Sequence, residues 1–452
     1  MSEFYPEAVY EQNNMSDQET NSTTYITPTS DVTISGSIDF ETNKYFNQVQ
    51  EIIKDFDNYK NKNNEDAPIR VKKITFDELD YFIANYNNNI FDTIQDKELH
   101  VYRSVVFDAD GKVISFSPSK CMNSHIDTFL SEQTNDKFVM QHLVEGTMIN
   151  LFSDNRKSGE DSWVISTKGT IGCKLNYFRN ECNRKTFSEM FDDALKYMNL
   201  SYDMFDKNIV YSFVLHHPEN RIVTQFSVPT ITLVEAYSIN DRMVRVVSLP
   251  TAGWVDMVNF DIPSQLDDCS KNMYGDTFNT PPNISGYVIK NTETNERIKF
   301  RNPSFEYVKH LRGNQSKLEY TYLQLRKNGR MHEYLTWFPE HSTEMNGFKE
   351  KVHIFTRELY SNYVDCYIKK MKPLKEYAFE FRNHMFDIHQ KYKTEFQPMR
   401  RSIQYNDVIQ HVNDLHESKL MFALNYKKRP PSPPSENIET TEFEMPCDLS
   451  VD

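Results

Sequence analysis

The 452-residue sequence predicts an α+β domain followed by an all-helical C-terminal domain. Between Val71 and about Val308, short runs rich in β-branched and aromatic residues alternate with turn residues, and one helix interrupts them. After about residue 315, apolar residues recur at helical spacing and strand signals become rare. A chain of this length can bury a sizeable core and form two or three domains.

The strand signals of the first domain assign individual elements. HVYRSVVFDADGKVISF (100–116) predicts a β-hairpin whose turn is Asp-Ala-Asp-Gly. KTFSEMFDDALKYMN (185–199) predicts a helix, with Thr186 placed to cap it and Glu189 three residues later. Further strands are predicted for WVISTKGTIG (163–172), IVYSFVLHH (209–217), RIVTQFSV (221–228) and TITLVEAYSI (230–239).

Three segments carry the helical pattern of the C-terminal part. They are LEYTYLQLRKNGRMHEYLTWF (318–338), FKEKVHIFTRELYSNYVDCYIKKM (348–371) and VIQHVNDLHESKLMFALN (408–425). Their spacing predicts a helical domain over 315–427, so the preceding domain spans 44–314.

Negative charge is concentrated at the two ends of the chain. Residues 1–43 contain eight acidic residues and residues 431–452 contain six, and neither segment has a Lys or Arg. These fourteen acids equal the net charge of −14, so the chain between 44 and 430 has equal numbers of acidic and basic residues. The composition predicts a disordered acidic tail over 1–43 and a disordered, Pro-rich acidic tail over 428–452. A basic groove in the neutral centre remains compatible with these numbers.

No apolar run is long enough to span a bilayer, and MSEFYPEAVYEQ lacks the features of a signal peptide. The six cysteines have neither zinc-ligand nor redox spacing, which is typical of reduced thiols in a cytosol-like compartment. The sequence therefore predicts a cytoplasmic protein without a membrane partner.

Several segments, taken in chain order, resemble the adenylation domain of phage-type (T4-like) RNA ligases. They are YRSVVFDADGKVISFSPSKCMN (102–123), HLVEGTMINLF (142–152), WVISTKGTIG (163–172), YSFVLHHPENRIV (211–223), LVEAYSI (233–239), SGYVI (285–289) and IKFRNPSFEYVKHLRG (298–313). The element Pro218–Val223 is the most distinctive of them. The resemblance implies the ATP-grasp-like nucleotidyltransferase fold, with antiparallel sheets and flanking helices, and a helical C-terminal domain also fits this ligase type.

Members of that family attack ATP with a lysine, hold AMP as a phosphoramidate and transfer it to an RNA 5′-phosphate. The resemblance implies a nucleotide- or phosphate-binding role for several residues: Arg103, Lys120, Glu145, Lys168, Lys299 and Arg301. Ser104 replaces a family glycine, and Arg301 replaces the second lysine of the phosphate-gripping pair. Arginine keeps the charge of that lysine, although its planar guanidinium differs in shape from a compact ammonium.

Three departures from the family pattern fall on catalytic positions. In the signature Lys-x-Asp-Gly, Leu143 occupies the nucleophile position, and a leucine cannot form a phosphoramidate. Ser212 and Ser285 stand where the family has glutamates that help to hold the divalent metal and the ribose. A serine hydroxyl has neither the charge nor the oxygen count that Mg²⁺ favours. The pattern predicts a pseudoenzyme with no assigned catalytic or metal-binding residue.

Three functions follow from these observations. The first is an RNA-ligase-like protein that cannot self-adenylate and retains nucleotide or RNA binding. The second is an active, divergent ATP-dependent RNA ligase that uses ATP, Mg²⁺ and a relocated lysine, for which Lys120 is the candidate. The adjacent His142 is a weaker candidate, because on a strand it would face away from Leu143. The third is a structural or interaction protein in which Leu143 fills the cleft.

The remaining expectations concern origin and partners. Heavy use of Asn, Lys, Ile, Tyr and Phe is typical of AT-rich genomes, and relatives of phage-type ligases occur in viruses. A viral protein acting in the host cytoplasm is the resulting prediction. The helical domain and the acidic tails are available for protein partners, whose identity the sequence does not define.

Overall fold

The computed structural model of the chain describes residues 33–61, 66–90, 96–122, 126–131, 138–157, 162–176, 185–248, 257–258 and 285–428. Its first part comprises β1 (Thr33–Asp39), α1 (Phe46–Lys54), α2 (Phe56–Lys60), β2 (Ile69–Phe76), β3 (Leu79–Tyr86), β4 (Val105–Phe107), β5 (Val113–Ser115), α3 (Ile126–Ser131), β6 (Phe138–His142), β7 (Thr147–Ser153) and β8 (Trp163–Ser166). Then come α4 (Phe187–Tyr197), β9 (Ile209–His216), β10 (Thr230–Asn240), β11 (Met243–Ser248), β12 (Met257–Val258), β13 (Gly286–Asn291) and β14 (Arg297–Arg301).

The strands form three antiparallel sheets. The largest has the order β1-β11-β10-β9-β7-β8, and the two four-stranded sheets have the orders β12-β6-β13-β14 and β2-β3-β4-β5. One face of the largest sheet packs against α4, and buried residues of its other face pack against β2–β5. The predicted α+β class with antiparallel sheets and flanking helices is confirmed.

The rest of the described chain is helical. It comprises α5 (Pro303–Arg312), α6 (Leu318–Lys327), α7 (Met331–Trp337), α8 (Ser342–Tyr363), α9 (Phe379–Lys391), α10 (Tyr405–Asp414) and α11 (Glu417–Leu424). The predicted helical C-terminal region is therefore confirmed. Its buried residues belong to one hydrophobic core with α4 and the adjacent face of the largest sheet, so the helices are packed onto the β region.

Two local predictions are confirmed. The hairpin of β4 and β5 turns at Asp108–Lys112, where Gly111 adopts a φ of 78°, a conformation that glycine reaches without strain. Helix α4 begins after Thr186, whose hydroxyl accepts a hydrogen bond from the Glu189 amide, while the Glu189 carboxylate accepts one from the Thr186 amide. This reciprocal pair satisfies two amides that the helix itself leaves without partners.

The strand predicted at residues 221–228 is wrong. The backbone amides of Val223 and Thr224 donate to the carboxylate of Glu145, at 2.6 Å and 3.0 Å, and not to a neighbouring strand. The apolar side chains that produced the strand signal, Ile222 and Val223, are buried in the main core without strand pairing.

The predicted tail over 1–43 is wrong for its last eleven residues. Strand β1 pairs with β11 from Thr33↔Ser248 to Asp39↔Met243, and Phe40 is fully buried behind it. Composition alone could not show this, because the partner strand lies about two hundred residues away in the sequence. Residues 1–32 and 429–452, which hold most of both predicted tails, lie outside the described residues.

Within the described part of the chain, no helix is both long enough and apolar enough to cross a membrane.

Candidate functional site

A cavity opens where the connection between β6 and β7 faces β14 and α5. Residues 143–146 form one wall and β14 forms another. Of the described residues, six basic side chains line it: Arg103, Lys168, Arg297, Lys299, Arg301 and Lys309. Two carboxylic acids, Glu145 and Glu306, also line it. The structure therefore brings together most of the residues that the sequence predicted for phosphate binding.

Leu143 lies in the wall of this cavity. Its backbone amide donates to the carbonyl of Gly286 at 2.8 Å, and its carbonyl accepts a hydrogen bond from the Ser285 hydroxyl. Leu143 is half-buried and lines the cavity. The position that the resemblance assigns to a nucleophile therefore lies at the cavity but holds an aliphatic residue.

The expectation that His142 and Leu143 face opposite sides of a strand stays a prediction, because strand β6 ends at His142. Both residues line the same cavity, and the His142 ring packs beside Tyr287 with centroids 5.0 Å apart.

Ser212 and Ser285 are both engaged within the protein. Ser212 is fully buried on β9, and its hydroxyl donates to the Asn150 side chain at 2.7 Å. Ser285 donates to the carbonyl of Leu143, as described above. Both hydroxyls therefore donate within the protein, and neither supplies the negative charge of a carboxylate.

Glu145 is turned toward the chain that follows β9. It is buried, and its carboxylate accepts hydrogen bonds from the Val223 amide and from the amide and hydroxyl of Thr224. Desolvation raises the pKa of this carboxyl, and the three donors partly oppose that shift. The contacts of Glu145 are structural, and its role in nucleotide binding stays a prediction.

Lys120 is the one predicted phosphate-binding residue that the structure places outside this cavity. It lines a neighbouring cavity with Lys97 and His100. The ammonium groups of Lys120 and Lys168 lie 5.2 Å and 5.0 Å from the ring centroid of Tyr86, so the two lysines contact the same ring. The role of Lys120 as a relocated nucleophile stays a prediction.

Strand β14 presents three cations toward the cavity. Arg297, Lys299 and Arg301 alternate along the strand and therefore share one face. Arg301 is paired with Glu306 at 3.0 Å. Arg297 was not among the residues predicted to bind phosphate, although the period-two spacing in RIKFR indicates it.

Arg297 also belongs to a buried ionic cluster that joins two sheets. Glu235 on β10 contacts the ammonium of Lys290 on β13, and its other oxygen lies 3.7 Å from the guanidinium of Arg297. Tyr237 donates a further hydrogen bond to Glu235. The cluster ties the largest sheet to β13 and β14, which form the opposite wall of the cavity.

The ionisation of Glu235 is determined by these partners. Desolvation would raise its pKa, but the charges of Lys290 and Arg297 and the hydrogen bonds from Lys290 and Tyr237 outweigh it and lower the pKa to about 2.

Glu235 lies directly across from Ser212 in the pairing of β9 with β10. A carboxylate is therefore present one strand away from Ser212, although it is committed to two cations. The sequence signal for Glu235 was a charged residue inside the apolar run LVEAYSI.

The described residues of the cavity do not fit a Mg²⁺ ion. Mg²⁺ is usually held by one or two carboxylates together with water and phosphate. Glu145 is occupied by the segment at 223–224, and Glu306 by Arg301. Within the described ranges, no group of three or more His, Cys, Asp or Glu residues is arranged to hold a metal ion. The same cavity is well supplied with donors for phosphate oxygens.

Comparison with known proteins gives matches among solved structures only. No family model and no curated protein matches the sequence. A putative ATP-dependent DNA ligase from Aquifex aeolicus is 14% identical, over 77% of this chain and 80% of its own, with a TM-score of 0.35. Two structures of an archaeal ATP-dependent RNA ligase, form 1 and form 2, are 11% and 9% identical. Each covers 67% of this chain, with 73% and 77% of its own length and TM-scores of 0.35 and 0.36.

These neighbours are all ATP-dependent ligases, but TM-scores below 0.5 do not establish a common fold. Any functional assignment therefore rests on the residues of this chain itself.

Proposed function

We propose that this protein is an RNA-ligase-like binding protein that holds a nucleotide or an RNA 5′-phosphate in the cavity and does not adenylate itself at position 143. One observation carries the proposal: Leu143, at the position that the resemblance assigns to the nucleophile, lies in a cavity lined by six basic side chains.

The charge of the cavity supports phosphate as the bound group. Six cations line the cavity together with two carboxylates. Positive charge remains in excess although Arg297 is paired with Glu235 and Arg301 with Glu306. Guanidinium and ammonium groups form short, charge-assisted hydrogen bonds with phosphate oxygens. Binding of a phosphorylated ligand would also neutralise cations that lie close together in the cavity.

The chemistry of position 143 argues against a covalent step there. Leucine has no lone pair with which to attack the α-phosphate of ATP. The serines at 212 and 285 donate their hydroxyls within the protein, and the described cavity offers no uncommitted carboxylate for a divalent ion.

Two alternatives are distinguishable from this proposal. An active ligase would need ATP, Mg²⁺ and a relocated lysine as its nucleophile, either Lys120 or one of the cavity lysines Lys168, Lys299 and Lys309. A structural protein would need a filled cleft, and the cavity that persists beside Leu143 disfavours this alternative. The cytoplasmic setting, the viral origin and protein partners bound through the helical region or the tails rest on the sequence alone.

Intact-mass spectrometry after incubation with ATP and Mg²⁺ tests the covalent step. We expect no AMP adduct on the wild-type chain, because position 143 cannot form one. An adduct on the wild type would contradict the proposal, and its disappearance in Lys168→Ala, Lys299→Ala or Lys309→Ala would identify the nucleophile. Leu143→Lys shows whether restoring the amine is sufficient for adenylation.

A titration with a short RNA tests binding. We expect the 5′-phosphorylated strand to bind more tightly than the same strand with a 5′-hydroxyl. Lys299→Glu should lower the affinity for the phosphorylated strand about tenfold, because a charge-assisted contact is replaced by repulsion. Lys349→Glu, an exposed position on α8, is the matched charge control. Absence of binding to both ATP and the phosphorylated RNA would leave the structural alternative.

A further inference from the structure

A second cluster of cations and aromatic rings lies at one end of the helical region. Helices α8 and α9 each continue into a π-helical turn, Val364–Ile368 and Tyr392–Phe396. Phe355 of α8 stacks on Phe381 in the first turn of α9, with ring centroids 5.1 Å apart. Tyr363 and His389, each eight residues further along its helix, are also in contact, with ring centroids 6.3 Å apart. The two helices therefore run parallel, and both π-helical turns lie at the same end. Such turns are rare and occur frequently at functional sites.

Three aromatic side chains connect the two turns. The rings of Tyr367 and His389 are stacked, with centroids 3.8 Å apart and an interplanar angle of 12°. His389 is also stacked with Tyr392, at 5.8 Å and 22°. All three side chains are only partly buried, so this stack reaches the surface of the helical region.

Basic residues follow or flank the two π-helical turns in the chain. We call this part of the surface the basic end; its cations are Lys369, Lys370, Lys372, Lys391, Lys393, Arg400 and Arg401. Lys369 pairs with Asp365 at 3.0 Å, and Arg401 pairs with Asp407 at 2.6 Å. Among the residues that the structure describes, the other five form no ion pair. Glu376 and Glu395 are the remaining acidic residues of the segments 364–377 and 391–401. The basic end therefore keeps an excess of positive charge in a chain of net charge −14.

Apolar groups are exposed beside these cations. Ile368, Met371 and Met399 are 55%, 69% and 74% exposed, which is unusual for large apolar side chains. Lys372 and Lys391 lie over the rings of Tyr377 and Phe396. The surface therefore combines cations, partly exposed rings and apolar side chains within one end of the bundle.

We propose that the basic end binds single-stranded RNA, with its backbone phosphates on the unpaired cations and its bases on the rings and methionines. Single-stranded nucleic acid is the polyanion whose chemistry matches both components, because every base has a face that can stack and every linkage carries a negative charge. A lysine-rich surface that contacted only an acidic protein segment would need the cations but not the aromatic stack. This site is separate from the cavity and does not require that a nucleotide bind there.

The test measures the binding of a fluorescently labelled oligouridine with a 5′-hydroxyl to the full-length protein over a series of salt concentrations. The 5′-hydroxyl removes the terminal phosphate that the cavity is proposed to hold. We expect the charge reversal Lys370→Glu/Lys393→Glu/Arg400→Glu to weaken binding at least about tenfold. It should also reduce the salt slope by about 2, the value expected for the loss of three phosphate contacts on a single strand.

The matched control is Lys54→Glu/Lys196→Glu/Lys349→Glu, which makes the same change of net charge at three exposed positions away from the basic end, on α1, on α4 and near the start of α8. Tyr392→Leu, checked for folding by circular dichroism, should weaken binding with an unchanged salt slope, because it removes stacking but no charge.

Unchanged binding by the charge-reversed variant, or equal weakening by the control, would overturn the proposal. Loss of binding in Lys299→Glu but not in the charge-reversed variant would also overturn it, while leaving the proposed function of the cavity intact. Binding of polyglutamate in the absence of RNA binding would show that the basic end receives a protein.

Discussion

At the scale of single residues, Glu235 links the two walls of the cavity. Its carboxylate is buried between Lys290 and Arg297, which come from the opposite sheet. Removing one partner of a buried ion pair leaves the others charged and without compensation, and this costs more than the pair itself contributes. The stability of the cavity should therefore depend on this one acid.

We expect Glu235→Gln to lower the free energy of unfolding by about 3–5 kcal/mol at neutral pH, because Lys290 and Arg297 would lose their buried counter-charge. Urea unfolding monitored by circular dichroism measures the change. Glu41→Gln, which removes an exposed acid whose nearest cation is 3.6 Å away, is the control and should have little effect.

The same variant gives a prediction about pH. The folded state lowers the pKa of Glu235 from the ordinary 4.5 to about 2, so its stabilisation is fully present above pH 4.5 and is lost as the pH falls toward 2. The difference in stability between wild type and Glu235→Gln should therefore shrink over that range. A constant difference from pH 5 to pH 2.5 would show that Glu235 is not held ionised by its partners.

At the scale of secondary structure, the start of β13 determines how the wall at Leu143 is built. Gly286 has a φ of +142°, and a Cβ at this position would lie 1.9 Å from the carbonyl oxygen of Phe300 on β14. The backbone carbonyl of Gly286 also accepts the hydrogen bond from the Leu143 amide. Glycine is required here both by the backbone conformation and by the close approach of β14.

We expect Gly286→Ala to destabilise the protein by at least about 1–3 kcal/mol from backbone strain, with a further cost from the clash with β14. The urea midpoint of unfolding measures the effect. Gly169→Ala is the matched control, because nothing lies within 4 Å of a Cβ at that position. Equal midpoints for the two variants would contradict this account of β13.

Elements whose signals are local could be predicted from the sequence, and others could not. The β4–β5 hairpin and the Thr186 cap depend on residues a few positions apart, and both are confirmed. The segment at 221–228 has the composition of a strand, but Glu145, far away in the sequence, takes its backbone amides. Composition therefore predicted its burial but not its conformation.

At the scale of the whole molecule, β1 completes the largest sheet and covers part of the hydrophobic core between this sheet and β2–β5. Phe40, directly after the strand, is fully buried and contacts the rings of Phe46, Tyr102, Phe107 and Phe116. Burial of a phenylalanine side chain contributes roughly 1.5–3 kcal/mol, and the pairing with β11 adds its backbone hydrogen bonds.

We expect removal of residues 1–40 to destabilise the protein by several kcal/mol relative to removal of residues 1–32, since β1 and Phe40 are present only in the longer chain. Thermal unfolding of the two truncated proteins makes the comparison. Indistinguishable midpoints would mean that β1 does not support the sheet.

The sequence by itself determined the features that depend on neighbouring residues: the α+β class, the helical C-terminal region, the hairpin, the cap of α4 and the leucine at position 143. Tertiary structure alone decided which distant residues meet. It joined Glu235 to Lys290 and Arg297, added β1 to the sheet and placed Lys120 outside the cavity that Lys168 and Lys299 line. The physical reason is that pairing between strands and burial of charges are set by contacts between segments far apart in the chain, which periodicity and local motifs do not encode.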